Sequence, residues 1–447
     1  MSDSIELSSY SLDACRRAAD VRDILQAALE AADPAAAVRR TLRRRGSCLQ
    51  VDKFFYDLDQ FQRVLVLAVG KAAPAMAEAA LAVLGENVRA GLVVTKHATS
   101  RALGPLQVIQ ADHPIPDERS LKAGQQVIAL LSRATPDDLL VCLISGGGSA
   151  LLATPLEGVS LGNLQMLTGK LLASGATIQE INTLRRHLDR LKGGGLARLA
   201  TPVRTLSLIL SDVVGNSLEA IASGLTAPDP TTKEEALDIL LRYAASNVAS
   251  TLLAALETSE ETPKPGDPIF ERVQNVVVGS NLHSAQAAVA RAAALGYQSR
   301  LLTASLEGEA ARVGGDLGAL LREVAESGLP VARPACLVAG GETTVTLHGT
   351  GHGGRNQELA LAAVQTLHRL SDVMLISMAT DGEDGPTDAA GAVVTDQTLN
   401  RARNLGLDVG YFLRRNDSYS FFEALDDLLK PGPTGTNVND LVFMFAL

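Results

Sequence analysis

Short unbroken apolar runs, each ending in glycine or a small polar residue and followed by a stretch with helical spacing, recur along most of the chain. The first is RVLVLAVG, Arg63 to Gly70, which leads into AAPAMAEAALAVL. A continuous run of leucine and β-branched residues predicts a strand buried on both faces, and a helix directly after it predicts a parallel crossover. The unit returns at Ala90 to Thr95, Leu106 to Asp112, Asp138 to Leu152 and Thr205 to Gly215. Strand then helix, repeated, predicts a doubly wound, Rossmann-like α/β sheet. Ahead of these runs, Val21, Ile24, Leu25 and Leu29 fall on one face of a helix, with Asp13 as a cap, and that face reads as packing.

From Lys233 to about Glu257 the spacing is helical again, and it leads into ETPKPGDP. The proline and glycine density of Glu261 to Pro268 predicts a linker there. Beyond it NVVVGSN, SRLLTA, PACLVAGGETTVTL, DVMLISMATDG and DLVFMFAL supply further strands. The expected organisation is therefore a larger α/β domain over 1–265 and a smaller α/β domain over 266–447.

Composition narrows the function classes. A length of 447 residues at 46% hydrophobic content provides material for two cores. The formal charge of −10 argues against a grip on nucleic acid or on an anionic membrane, and 3% aromatics without tryptophan argue against base stacking. Four widely spaced cysteines form no C-x-x-C pair and suggest a reducing, cytoplasmic setting. Neither an export signal nor a membrane segment is expected.

Ligands of open α/β sheets sit outside the carboxyl ends of the strands, so the residues after each apolar run are the candidates. After Ile144 come Ser145, Gly146, Gly147, Gly148 and Ser149, whose glycines let several backbone N–H groups approach one anion at the start of a helix. A tight turn would also use glycine, but three in succession exceed what one turn requires. Lys71 follows Gly70 at the end of the first strong strand, and Asp212 occupies the equivalent place after LSLIL. A carboxylate there needs a metal, a lysine or backbone donors as partner. In GTGHGGRNQELAL, Arg355 opens a helix and is able to fork onto a carboxylate or phosphate. In TDGEDGPTDAAG, Asp381, Glu383, Asp384 and Asp388 share a loop after a buried strand, without EF-hand spacing. Walker and protein-kinase motifs are absent. Gly349, Gly351 and Gly354 match G-x-G-x-x-G only formally, because TTVTLH before them alternates like a half-exposed strand. The seven histidines, His113 among them, show no metal-ligand spacing, and most read as structural or exposed.

Taken together, AVGKAAPAM, HPIPDERS, ISGGGSALL, INTLRRHLDRLKGG, LSDVVGNSLEAIASG, AGGETTVTLHGTGHGGRNQE, TDGEDGPTDAAG and PTGTNVND resemble the class II glycerate 2-kinases, members of which have also been named hydroxypyruvate reductases. The resemblance runs in matching order from about Ala68 to Leu447. It implies ATP-dependent phosphorylation of D-glycerate to 2-phosphoglycerate with Mg²⁺, in a cleft between two α/β domains. It implies Lys71, Asp212, Arg355 and Asp381 as the catalytic set, and Lys192 and Gly193 as nucleotide or phosphate contacts alongside Ser145 to Ser149. Asn356 would join Lys71 and Arg355 on the substrate, and Asp212 and Asp381 are the metal-ligand candidates. A hydroxypyruvate reductase using NADH or NADPH is the alternative. The partners expected are glycerate and ATP, without nucleic acid or membrane, and a homodimer is the candidate assembly. The chain departs from the family at Asn216, where Asp is frequent, and at His352, where a longer basic residue is frequent.

Overall fold

The chain is described by a computed structural model covering residues 5–97, 102–243 and 247–447. Their contacts separate two units, Pro34–Val278 and a second one made of Met1–Asp33 with Gly279–Leu447.

The first unit is built on a six-stranded sheet. In spatial order its strands are Leu106–Gln110, Val88–Thr95, Arg63–Val69, Asp138–Ile144, Arg204–Leu210 and Val273–Gly279. The first five pair in parallel. In chain order these six strands read 3-2-1-4-5-6, so the winding reverses between Arg63–Val69 and Asp138–Ile144, where doubly wound sheets take their ligands. Asp138–Ile144 is buried throughout and Arg63–Val69 is buried in all but its first residue, which is why both appear in the sequence as unbroken apolar runs. Val69 pairs with Ile144, and Ile144 with Ile209. This register brings Gly70, Ser145 and the segment from Ser211 to one edge of the sheet.

Beside the sheet, helices Leu161–Ala173, Ile178–His187, Lys233–Tyr243 and Asn247–Thr258 share an apolar cluster that includes Leu167, Leu171, Leu184, Leu240 and Leu252. The stretch expected to be helical from Lys233 thus contains two helices, and residues 244–246 lie outside the described residues. A three-stranded antiparallel sheet, Leu42–Arg45, Cys48–Val51 and Phe54–Asp57, had no counterpart in the sequence reading. Its first strand is LRRR with three exposed arginines, which carries no apolar run to recognise.

The second unit has a mixed sheet in the order Gln298–Leu306, Ala335–Gly341, Asp440–Ala446, Val373–Ala379, Gly391–Thr395 and Leu428–Leu429. Asp440–Ala446 runs antiparallel to both of its neighbours, with Asp440 opposite Gly341 on one side and Ala379 on the other. The start of this strand therefore lies beside the ends of two others.

The partition differs from the division at 265 in two places. Val273–Gly279 closes the edge of the first sheet, although its apolar pattern is the same as that of the second unit's strands. Helix Ala18–Ala32 belongs with the second unit, where Val21, Ile24, Leu25 and Leu29 share a core with Ala288, Phe443 and Phe445. Glu261–Pro268 is also no free tether. Glu261 accepts the Lys233 N–H at 2.9 Å, and the Thr262 hydroxyl donates to Asp229 at 3.0 Å.

Candidate active site

At the reversal point of the first sheet, the two loops that leave it are bonded to each other. The Ser145 N–H donates to the Val69 carbonyl at 2.9 Å, the Lys71 N–H to the Gly146 carbonyl at 2.9 Å, and the Ala72 N–H to Ser145 Oγ at 3.1 Å. These bonds fix Lys71 directly opposite the glycine run while leaving its side chain exposed. Among the described residues, no acceptor is bonded to the N–H of Gly146 or Gly147. Gly147 has φ 85, in the left-handed region that glycine tolerates best. The helix that follows, Gly148–Leu151, is a single turn. Anion attraction here must therefore come from loop N–H groups and Lys71 more than from a helix dipole.

Asp212 completes this group. A Cβ on residue 146 would fall 2.1 Å from Asp212 Oδ2, so the carboxylate occupies space that only glycine at 146 leaves open. Desolvation pushes the Asp212 carboxyl above the usual range, and the Lys71 charge draws it back. His113, which sequence reasoning left among the structural or exposed histidines, lies against the same loop. A Cβ on Gly147 would be 3.2 Å from His113 Cδ2 and 3.3 Å from Lys71 Cγ. Burial, then the charges of Lys71, Lys96 and Arg185, lower the His113 pKa to about 4, so the imidazole is neutral near pH 7. The one available signal was its place in HPIPDERS, just past the strand Leu106–Gln110.

Ser149 is held from behind. Its Oγ lies 2.7 Å from Ser223 Oγ. Ser223 and Ala222 adopt φ 57 and φ 49, a left-handed pair that costs non-glycine residues roughly 1–3 kcal/mol each. The Gly193 N–H donates to the Ser223 carbonyl at 2.9 Å, and the Gly194 N–H to the Gly224 carbonyl at 2.7 Å. Gly193 thus spends its N–H on the strained segment behind Ser149. Lys192 is buried and bonded to Asp189 Oδ2 at 2.7 Å, so its ammonium is already paired. Asn216 has φ 56, a conformation that Asn adopts more readily than most residues, which gives its departure from the family a backbone rationale.

In the second unit, Arg355, Glu342, Asp384 and Asp440 gather at the start of the central antiparallel strand. Arg355 opens helix Arg355–Leu367 and forks onto Asp440, Nε to Oδ2 at 2.5 Å and Nη2 to Oδ1 at 3.0 Å, while Nη1 lies 2.9 Å from Glu342 Oε1. Burial opposes the guanidinium charge, but Asp440 and Glu342 more than offset it and keep Arg355 firmly protonated. The fork that sequence alone offered to a substrate is therefore already filled by Asp440. Asp384 receives the N–H groups of Asn356 at 3.1 Å and Gln357 at 2.9 Å and so caps the helix. Burial, helped by the Asp440 charge, raises the Asp384 pKa to about 6. Asn356 is buried, with its amide bonded to Asp384 at 3.2 Å and to the Ser377 hydroxyl at 2.6 Å, an arrangement that commits the side chain to the fold. Asp381 follows the strand Val373–Ala379 and accepts the Glu383 N–H at 3.2 Å.

Two further observations bear on chemistry. Among the described residues, no three His, Cys, Asp or Glu side chains are grouped to hold a metal, and no helix is long and apolar enough to cross a membrane. The Gly349, Gly351 and Gly354 run does not follow a buried strand. A Cβ at these positions would fall within 2.5 Å of Arg415, Asp417 or Asp384, so the glycines serve close packing.

Residues 20–257 match a family model described as a domain of unknown function, DUF4147, and residues 335–440 match the MOFRL family. Over 423 residues the chain is 41% identical to the D-glycerate 2-kinase of Thermotoga maritima, an alignment that covers 94% of this chain and 96% of that one. Two Agrobacterium vitis proteins, each 40% identical, carry hydroxypyruvate reductase in their names. The crystal structure of a Thermotoga maritima glycerate kinase, 39% identical, matches with a TM-score of 0.85 over 95% of this chain and 98% of that one.

Proposed function

The chain belongs to the glycerate 2-kinase family, and from that premise we propose how its residues divide the transfer of a phosphoryl group from ATP to the 2-hydroxyl of D-glycerate. The enzyme is a glycerate kinase, and what remains to be assigned is the part played by each side chain. The observation that carries the assignment is the convergence of Lys71 and the unbonded N–H groups of Gly146 and Gly147 at the reversal point of the first sheet. That set neutralises phosphate oxygens, and phosphoryl transfer depends on positioning and charge neutralisation more than on covalent chemistry.

Lys71 and the loop Ser145 to Ser149 hold the phosphates, with Gly193 supporting Ser149 through Ser223. Lys192, paired with Asp189, contributes to the wall behind the loop. The 2-hydroxyl oxygen attacks the γ-phosphorus as its bond to the bridging oxygen breaks, ADP leaves with that electron pair, and the hydroxyl proton passes to Asp212. The desolvated Asp212 carboxyl favours taking a proton. Arg355 belongs to the frame of the second unit, because Asp440 occupies its fork and Glu342 meets its Nη1.

Mg²⁺ fits the donors present, because this ion is usually held by one or two carboxylates plus substrate phosphates, not by an all-protein cage. Asp212 is the carboxylate of the first unit that would hold it, and when bound it would neutralise phosphate charge. The four cysteines, all unpaired, support a cytoplasmic setting.

The test is ADP release that requires both D-glycerate and Mg²⁺, with the product resolved as 2-phosphoglycerate and not the 3-isomer. Oxidation of NADH by hydroxypyruvate in the absence of ATP would overturn the reading.

A further inference from the structure

The segment Arg185–His187 places three basic side chains in succession at the end of helix Ile178–His187, and the fold disposes of two of them. Arg186 Nε lies 2.8 Å from Asp229 Oδ1, and both side chains are buried. His187 is held by the Thr183 carbonyl at 3.0 Å and by Glu261 at 3.1 Å. Arg185 points elsewhere and meets only Asn182 Oδ1, on its own helix, at 3.5 Å. Among the described residues no carboxylate pairs with it.

Arg185 instead lines a cavity that reaches Ser149 and Ala150 of the glycine loop, with Pro114, Leu167 and Leu184 supplying apolar walls. The other charges on that wall cancel, because Lys192 is bonded to Asp189. One guanidinium is left uncompensated in an apolar recess beside the phosphate loop, and burial weakens its hold on its proton. A charge taken out of water without a partner is costly, and a planar guanidinium is best satisfied by an oxyanion that receives two parallel N–H donors.

We propose that Arg185 is a substrate-binding residue whose guanidinium takes an oxyanion of one of the two reactants, the carboxylate of glycerate or a phosphate of the nucleotide, in the cavity behind Ser149. The identity of the reactants rests on the kinase reading, whereas anion binding by Arg185 does not.

The experiment compares the full chain with its Arg185→Gln and Arg185→Lys variants by titration calorimetry with ADP, D-glycerate and inorganic phosphate, and by thermal unfolding without ligand. Loss of a charged hydrogen-bond pair is expected to weaken one reactant by roughly tenfold or more in Arg185→Gln, with partial recovery in Arg185→Lys, which keeps the charge but not the fork. Weakened ADP identifies a phosphate, and weakened glycerate identifies the carboxylate. The unliganded melting temperature should not fall. Binding of all three probes within about twofold of wild type overturns the proposal, as does a lowered melting temperature in both variants with every probe weakened alike. If the wild type releases no ADP from ATP and glycerate, the kinase reading fails, while the ADP and phosphate titrations still decide whether Arg185 binds an anion.

Discussion

The two units gather charge in opposite ways. At the edge of the first sheet, Lys71 and Arg185 stand without direct carboxylate partners among the described residues, and together with Lys96 they help hold the neighbouring imidazole of His113 neutral down to about pH 4. In the second unit Arg355 is surrounded by Asp440, Glu342 and Asp384, and the excess of acid helps to raise Asp384 to about 6. A cation left open anticipates an anion that arrives from outside. A cation already forked onto a buried carboxylate is part of the frame. The strand-end rule selected Lys71 and Arg355 on equal terms, and only the partners of each separate a binding group from a scaffold.

The largest expected effect breaks or confirms that separation. Lys71→Ala should lower kcat by about 10²–10³ while leaving stability within about 0.5 kcal/mol, because the side chain is exposed and forms no ion pair among the described residues. Arg355→Ala should instead destabilise the fold by about 3 kcal/mol, since it strands Asp440, whose side chain is 7% exposed. Adding Asp440→Ala to Arg355→Ala should return part of that stability. Steady-state ADP release and thermal unfolding of the three variants measure both quantities. Equal destabilisation by Lys71→Ala and Arg355→Ala would erase the distinction.

How much of this was legible in the sequence follows from the range of the interactions. The strands of the first sheet announce themselves because each is buried along its length, and the candidate residues follow because they sit one or two positions past a strand end. Lys71, Asp212 and the Ser145–Ser149 loop are local in that sense. Partnerships across the chain are not. The Arg355–Asp440 fork spans 85 positions, and the contact that sets Ser149 against Ser223 spans 74. His113 and Arg185 were invisible for the same reason. Each looks ordinary in its own segment, and acquires meaning only when helix Ile178–His187 and the loop after Leu106–Gln110 come to the glycine run. The strand Val273–Gly279 was assigned to the wrong sheet because an apolar run states that it will be buried, not beside which neighbour.

A smaller effect sharpens the acidic half of the comparison. The folded-state pKa of Asp384, about 6, exceeds its ordinary value of 3.8, so the folded chain binds this proton more readily than the unfolded one. Stability from this group is therefore greatest below about pH 4 and declines as pH rises through about 6. The change across that window is on the order of 2 kcal/mol, and Asp384→Asn should flatten it in unfolding curves collected from pH 4 to 7. The variant keeps one side-chain acceptor for the N–H groups of Asn356 and Gln357, so the slope with pH, more than the absolute stability, is the quantity to compare. An unchanged slope would mean that Asp384 is not held up by its burial and by Asp440.

The smallest effect concerns the basic half and is read most directly at His113. Its folded pKa of about 4 lies below the ordinary 6.5, so the unfolded chain takes up a proton on acidification before the folded chain does, and this group costs stability as pH falls from about 6.5 toward 4. In that range the folded ring stays neutral. Its ¹H–¹³C resonance should therefore show a midpoint near 4 and no inflection between pH 5.5 and 8. Burial is the largest cause and remains in any variant of Lys71, whereas the ammonium is the next cause and is removed by Lys71→Met. The midpoint should rise partway toward 6.5 in that variant and stop short of it. In Arg355→Met it should not move, because no charge of the second unit figures among the causes of the His113 shift. A midpoint that ignored Lys71 would mean that the imidazole does not sense the ammonium, and the positive bias assigned to the phosphate loop would then rest on the backbone N–H groups of Gly146 and Gly147.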